Sequence, residues 1–514
     1  MSAVVPGAPI RDLVIVGRDA PAWLSACVMQ YALGPAGVNV TVVELPPQAQ
    51  AADLCVSLPA LEALHSRLRI EESRLIGATR GAFTLGRRFV DGMGVAPPFF
   101  HAHGSIGSRI DRKEFLPQWL HARSLGLELP FEEFSLTAMA ARQNRMLLPD
   151  AAIDGFGFTD YGYHLPAIPY GAWLKQLALR RGVRCLATRE LGIRVDPQRG
   201  IGGLLLDDGR AIGGDFFLDI TGRDALLCRA LGVGRESWRD AFPVDRVLSA
   251  CGALLAPIPV YSEIRALASG WVSLSASQVC VHVQQAYCSD LTPEPAELEA
   301  ATQMPLQAIV IRDLQPGRRE RAWEKNCVAI GQSACVFDPL HFVDLHAVQV
   351  GLVHLLPLFP VQAEFGVERD EYNKNVAAAF GRMRDFQGAH YRLNRYGLDR
   401  DGASPFWSRA RAATPAAELA HKIDAFRARG ETVYYEDEAF TIDDWQALFI
   451  GHGVIPESWD PAVDRTPPEL LKSELRRIQG FIRQKVDEQR THPAYLQEVC
   501  ALPRTPGTPP SRPQ

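Results

Sequence analysis

Short apolar runs alternate with helical periodicity at the start of the chain. Leu13–Val16 is unbroken apolar sequence, Ala22–Leu33 is an apolar-rich helical stretch stopped by Gly34, and Val38–Glu44 is a β-branched run. This order predicts a βαβ unit whose first turn lies in VIVGRDAPAW, Val14–Trp23. In a dinucleotide-binding turn the first amides of the helix face a pyrophosphate, and an acidic residue closing the second strand meets a ribose hydroxyl. Gly17 holds the first glycine position, Asp19 and Ala22 occupy the second and third, and Glu44 closes the second strand. Asp19 is expected to cap the helix, with Ala20 and Pro21 in early positions where a missing N–H costs nothing. The protein's own carboxylate would then take the phosphate's place, so a dinucleotide is expected to bind weakly or not at all.

Further along, Tyr161–Val183 reads as an extended piece followed by a helix that ends at Gly182. Leu204–Gly222 reads as a β-hairpin turning at Asp208-Gly209 and then a buried strand, and Cys327–Ile330 as a strand ending at Gly331. After Asp370 the pattern changes to long amphipathic helices, including Lys472–Glu488. The predicted organisation is a module over 1–375 with an interleaved β section, a mostly helical module over 376–500, and a disordered Pro-rich tail over 501–514.

Composition narrows the function classes. The chain has 514 residues, 47% hydrophobic and 22% charged, enough for a large core and about three domain-sized units. A net charge of -5 without basic runs points away from nucleic acid and anionic membranes. Ten cysteines without CxxC spacing suit reduced thiols. With no basic-then-apolar start and no long apolar span, a cytoplasmic protein is expected, without a membrane partner.

Longer segments carry a family likeness: FTLGRRF (Phe83–Phe89), YGYHLPA, LDITGRDALL, GWVS (Gly270–Ser273), the stretch Gly317–Gln349, RDFQGAHYRLN (Arg384–Asn394), WQALFIGHGVIP and HPAYL. In this order, over roughly residues 10 to 500, they resemble the flavin-dependent tryptophan halogenases. The resemblance implies an α/β fold: a Rossmann-type FAD domain of the halogenase/monooxygenase kind, a β-rich section and a C-terminal helical module. It also implies use of reduced FAD from a separate flavin reductase. Oxygen and halide then yield hypohalous acid, which a lysine holds beside an aromatic substrate while a glutamate orients it.

The same resemblance assigns positions in this chain. Thr84 stands at the lysine position, and a hydroxyl can neither form a haloamine nor act as an ammonium donor; Arg80 and Arg87 nearby stay protonated. His341 stands at the glutamate position, and Val343-Asp344 replace the Thr-Gly pair whose amides hold the halide. A carboxylate about 4 Å from chloride would cost roughly 4 kcal/mol at an effective dielectric of 20. Gly17, Asp19, Ala20, Glu44, Gly331, Gln332 and Leu345 fall at cofactor-binding positions. Of the family's WxWxIP signature only Trp271 remains, whereas HYRLN, His390–Asn394, is intact and reads as a structural helix. A metal site from His341, Asp344 and His346 is not expected, because 346 leaves the face that 341 and 344 would share.

Two readings follow. One is a halogenase-like protein that no longer halogenates, binds FAD weakly or not at all, and serves as a binding or partner protein. The other is an FAD-dependent oxidoreductase of monooxygenase type acting on an aromatic or indolic small molecule. An active tryptophan halogenase ranks third, for want of the lysine.

Overall fold

The computed structural model describes residues 10–94, 96–150, 158–291, 295–360, 364–396 and 404–501. The opening apolar runs form β1 (Asp12–Gly17), α1 (Asp19–Leu33) and β2 (Asn39–Glu44). α2 (Ala167–Arg180) packs along α1, and β3 (Phe216–Ile220) pairs parallel with β1 on the side away from β2. Farther on come α3 (Asp344–Leu355) and α4 (Gly366–Leu393).

β1 is the centre of a six-stranded sheet. β2 and Arg184–Ala187 continue it on one side; β3, Cys327–Ala329 and an antiparallel edge strand, Trp323–Glu324, continue it on the other. Leu13, Ile15, Val16, Val42, Val43, Phe216, Phe217 and Leu218 are all buried, because a parallel sheet covered on both faces needs unbroken apolar strands. The hairpin expected at Asp208-Gly209 is present: Leu206 N–H bonds the Arg210 carbonyl, and Gly209 takes φ +84°.

A second, seven-stranded sheet runs in the order 307–313, 246–252, 281–287, 270–276, 262–267, 86–91, 99–102. It is antiparallel except where Ser262–Leu267 runs parallel to Gly86–Asp91. α4 lays a stripe of Tyr372, Val376, Phe380, Met383, Phe386 and His390 into the molecule at three-to-four-residue spacing. Residue 375, where a module boundary was expected, lies inside α4, and one buried cluster joins Leu13 of β1, Trp271 of the second sheet, Phe386 of α4 and Ile482. The helical segments share that core, which composition along the chain could not reveal. The tail from 502 onward lies outside the described residues.

Gly17 sets the spacing at the head of the first sheet. A Cβ there would lie 2.6 Å from the Ile220 carbonyl oxygen and 2.9 Å from the Ala22 Cβ. Gly17→Ala is therefore expected to lower stability by about 1–3 kcal/mol, read from denaturant unfolding midpoints. An unchanged midpoint would mean that β1 and β3 can separate freely.

Candidate functional site

The turn after β1 takes the shape of a dinucleotide turn without its second glycine. Arg18 is extended (φ −151°, ψ 164°), and Asp19 adopts φ +59° at the first position of α1. Aspartate tolerates this left-handed region better than most side chains. The expected cap is absent: Asp19 makes no cap, and Arg18 at the cap position makes no side-chain bond to α1 among the described residues. The Asp19 carboxylate instead accepts from the backbone N–H groups of Gln48 (3.0 Å) and Ala49 (3.2 Å), in the segment following β2. Burial raises its pKa, and these two bonds oppose the rise. The positive φ turns the side chain from its own helix toward these two amides, which corrects the self-capping expectation. Ala22 is fully buried beside Gly17, which gives way to it. Ala20 is buried against α2, where a Cβ on Gly171 would come within 3.1 Å of its nitrogen.

The start of α1 opens on a cleft of about 250 Å³ between the two sheets. Three guanidiniums line it, each already engaged. Arg18 pairs with Asp224 (3.3 Å), Arg312 binds both oxygens of Asp53 (2.9 and 2.7 Å), and Arg223 donates to the Asp313 carbonyl. Asp19, Ala20, Gln332 and Leu345 also line the cleft. Gly331, φ +63°, makes the turn that carries Gln332. Glu44 stands opposite Gly17 at the end of β2, and its carboxylate is bonded to Lys175 Nζ of α2 (2.6 Å), a partner the sequence reading did not foresee.

The stretch from Asp338 to Asp344 separates the cleft from the core. Asp338 caps a short turn by accepting from Leu340 N–H (2.8 Å); Phe342 takes φ +54°, and Val343 is buried. Asp344 then begins α3 and faces the cleft, accepting from Gln332 Nε2 (3.2 Å). Burial raises its pKa, against the lowering by Gln332 and Arg223. A carboxylate thus sits in the first turn of α3, where the positive end of the helix favours an anion.

The two positions matched to catalytic residues are enclosed. The Thr84 hydroxyl, fully buried, donates to the Gly86 carbonyl (3.0 Å) and accepts from its N–H (3.3 Å), the bonding of a structural turn. His341 is fully buried among Phe89, His101, Phe386 and Phe440, and neither ring nitrogen has a partner among the described residues. Burial and the nearby Arg87 push its pKa well down, so it stays a neutral imidazole at neutral pH. His346 lines a different pocket from the cleft that Asp344 faces, so His341, Asp344 and His346 do not converge on one point.

A buried chain that sequence reasoning missed lies behind His341. Trp271 Nε1 donates to the Tyr391 hydroxyl (2.7 Å), which donates to Asp338 Oδ2 (2.9 Å). Trp271 and HYRLN were visible separately, but no local signal joins them. Burial pushes the Asp338 pKa up to about 7, partly offset by the bonds from Leu340 and Tyr391. With the folded value above the usual 3.8, the native state binds the extra proton between those limits, and the contribution of Asp338 to stability falls as pH rises through that window. The difference in unfolding free energy between wild type and Asp338→Asn is expected to drift in that direction from about pH 4 to pH 7; a flat difference would place Asp338 ionised throughout.

A parallel sheet with its helix N-terminus opening on a cleft against a larger, mostly antiparallel sheet is the architecture of flavin-dependent halogenases. The chain belongs to the tryptophan halogenase family, whose model matches residues 12–468. It is 26% identical to tryptophan 7-halogenase KtzQ of Kutzneria sp. (strain 744), over 95% of this chain and 98% of that protein. It is 25% identical to tryptophan 6-halogenase SttH of Streptomyces toxytricini, over 95% and 98%. Among solved structures it superposes on BrvH, a flavin-dependent halogenase from Brevundimonas sp. BAL3, with TM-score 0.89 and 29% identity, covering 95% of this chain and 99% of that one. Xcc4156, a flavin-dependent halogenase from Xanthomonas campestris, gives TM-score 0.89 at 27% identity, covering 97% and 100%. Among the described residues no helix is long and apolar enough to cross a membrane.

Proposed function

We propose that this chain binds FAD in the cleft, receives it reduced from a separate flavin reductase, and acts as an oxidoreductase of monooxygenase type that does not halogenate by the lysine-carried route. The observation that carries the first part is the Asp19 carboxylate, which is bonded to Gln48 and Ala49 and so leaves the first-turn amides of α1 without a side-chain cap. Those amides and Arg18 would hold the pyrophosphate. Gln332, Asp344 and Leu345 would line the ring end, and Glu44 reaches a ribose only by sharing its carboxylate with Lys175. A reduced flavin bound there supplies electrons to oxygen.

The second part rests on what the chain's own groups can do. Thr84 offers a hydroxyl already bonded to Gly86, which neither carries nor donates as an amine would. His341 is neutral and walled in by aromatic rings, so it orients no electrophile by charge. Asp344 places a carboxylate where the family holds halide, and its oxygen accepts from Gln332 instead. Asp344 also favours a second reading, a flavin-poor binding or partner protein, since its carboxyl group occupies the ring end of the cleft.

An FAD titration of the purified chain, followed by absorbance and fluorescence, is expected to give a dissociation constant of about 1 µM or tighter, about −8 kcal/mol. No saturation at a hundredfold higher concentration would select the second reading. With reductase, NADH, oxygen and bromide, mass spectrometry is expected to detect no halogenated tryptophan or indole from wild type or Thr84→Lys; multiple turnovers by either would overturn the assignment.

A further inference from the structure

A basic pocket of about 340 Å³ adjoins the turn that carries Gln332; it shares Arg223 and Gln332 with the cleft but takes no residue from α1. Four guanidiniums line it, those of Arg223, Arg229, Arg235 and Arg319. Arg235 and Arg319 stand directly opposite each other on the antiparallel strands Arg235–Ser237 and Gly317–Arg319. Like charges at such a cross-strand position repel. One step along the same strands Glu236 is opposite Arg318, and the two form an ion pair at 2.6 Å. Successive residues of a strand alternate between faces, so the matched pair and the like-charge pair are separated, and the like-charge pair lines the pocket.

The pocket's own acceptors do not answer these cations. Asp313, its one acidic lining residue, is paired with Arg246 of the second sheet, and its backbone carbonyl is taken by Arg223. Arg319 donates to the backbone carbonyls of Ser333 and Val233 (both 3.3 Å), and Arg235 Nη1 donates to Gln315 Oε1 (3.3 Å). Arg235 Nη2 is buried and has no partner among the described residues. Burial lowers the Arg235 pKa, and the charges of Arg319 and Arg223 add to the fall. The guanidinium stays protonated all the same. Four cations against one engaged carboxylate leave an excess of three positive charges. That excess is unfavourable unless an anion enters.

We propose that this pocket binds a phosphate group carried by a small molecule, held between Arg229, Arg235 and Arg319. A phosphate brings close to two negative charges and three acceptor oxygens, which planar guanidinium forks match in pairs of bonds. A monoanion would leave most of the excess charge unanswered. The pocket is larger than a phosphate alone fills, which leaves space for the group the phosphate is attached to. Arg229 is exposed on the short helix Leu226–Ala230, so it is open to an incoming ligand. The site requires no flavin and uses none of the α1 amides, so it and the flavin reading can fail independently.

The test uses the full chain without flavin, titrated with pyrophosphate, phenyl phosphate and bromide by calorimetry at constant ionic strength. Pyrophosphate and phenyl phosphate are expected to bind saturably, and bromide to displace neither. Arg235→Gln is expected to weaken both phosphates at least tenfold. Arg229→Gln, at an exposed position, is expected to weaken them severalfold and keeps the test decisive if Arg235→Gln fails to fold. Arg18→Gln, at the start of α1, is expected to leave both unchanged. Absence of saturation, displacement by bromide, or unchanged binding in the Arg229 and Arg235 variants would overturn the proposal. A loss in Arg18→Gln as large as theirs would overturn it too, by placing the phosphate at the helix terminus of the cleft.

Discussion

The carboxylate of Asp19 has two destinations within reach, and the one it takes decides the character of the cleft. Turned onto its own helix, it would satisfy the first-turn amides and fill the place of an anion. Turned outward by φ +59°, it satisfies Gln48 and Ala49 and fixes the segment after β2 as one wall of the cleft. The same side chain therefore builds the wall and leaves the helix terminus uncapped. Gly17 supports this arrangement from below, since only a missing side chain lets β3 and Ala22 come so close. The second glycine of the motif supplies a backbone angle that aspartate can also reach, whereas the first supplies space that no other residue leaves.

Charge along the cleft follows the same economy. Arg18, Arg223 and Arg312 are each tied to an acceptor of the chain, so the cleft presents held guanidiniums rather than mobile ones. Asp344 is the counterweight at the other end, placed by the turn of Phe342 and accepted by the first turn of α3. The core behind it is organised differently: His341, His390 and His452 are all held neutral by burial, and His390 and His452 bond each other at 2.9 Å. Guanidinium and carboxyl groups line the cleft; neutral imidazoles fill the wall behind.

The first unit was legible because parallel strands buried on both faces leave unbroken apolar runs, and the hairpin because Asp-Gly marks its turn. The direction of Asp19 was not, since it depends on amides 29 and 30 residues away that a linear reading cannot place beside it. Glu44 was read at the end of β2, where it stands, but Lys175, 131 residues on, was hidden in an ordinary amphipathic helix. The Trp271–Tyr391–Asp338 chain has separations of 120 and 53 residues, so each member looked like an isolated aromatic or acid. A change from strands to helices along the chain does not mark a break in the core where α4, which spans residue 375, buries its stripe in the same cluster as β1.

The substitutions at the matched positions differ in kind, and the difference bears on how the fold tolerates them. Thr84 closes on its own turn and leaves no polar atom unmet. His341 does the reverse: two ring nitrogens are buried without partners among the described residues, a state that costs about 1–3 kcal/mol for each unmet group. Its ring contacts with Phe89, Phe386 and Phe440 supply apolar burial against that cost, and its backbone carbonyl gives Arg87 the one protein acceptor it has among the described residues. Losing the imidazole would therefore leave that backbone bond in place, while shifting the segment would expose Arg87 to a second deficit. The position is held by what its backbone does for a neighbouring cation as much as by what its side chain packs against.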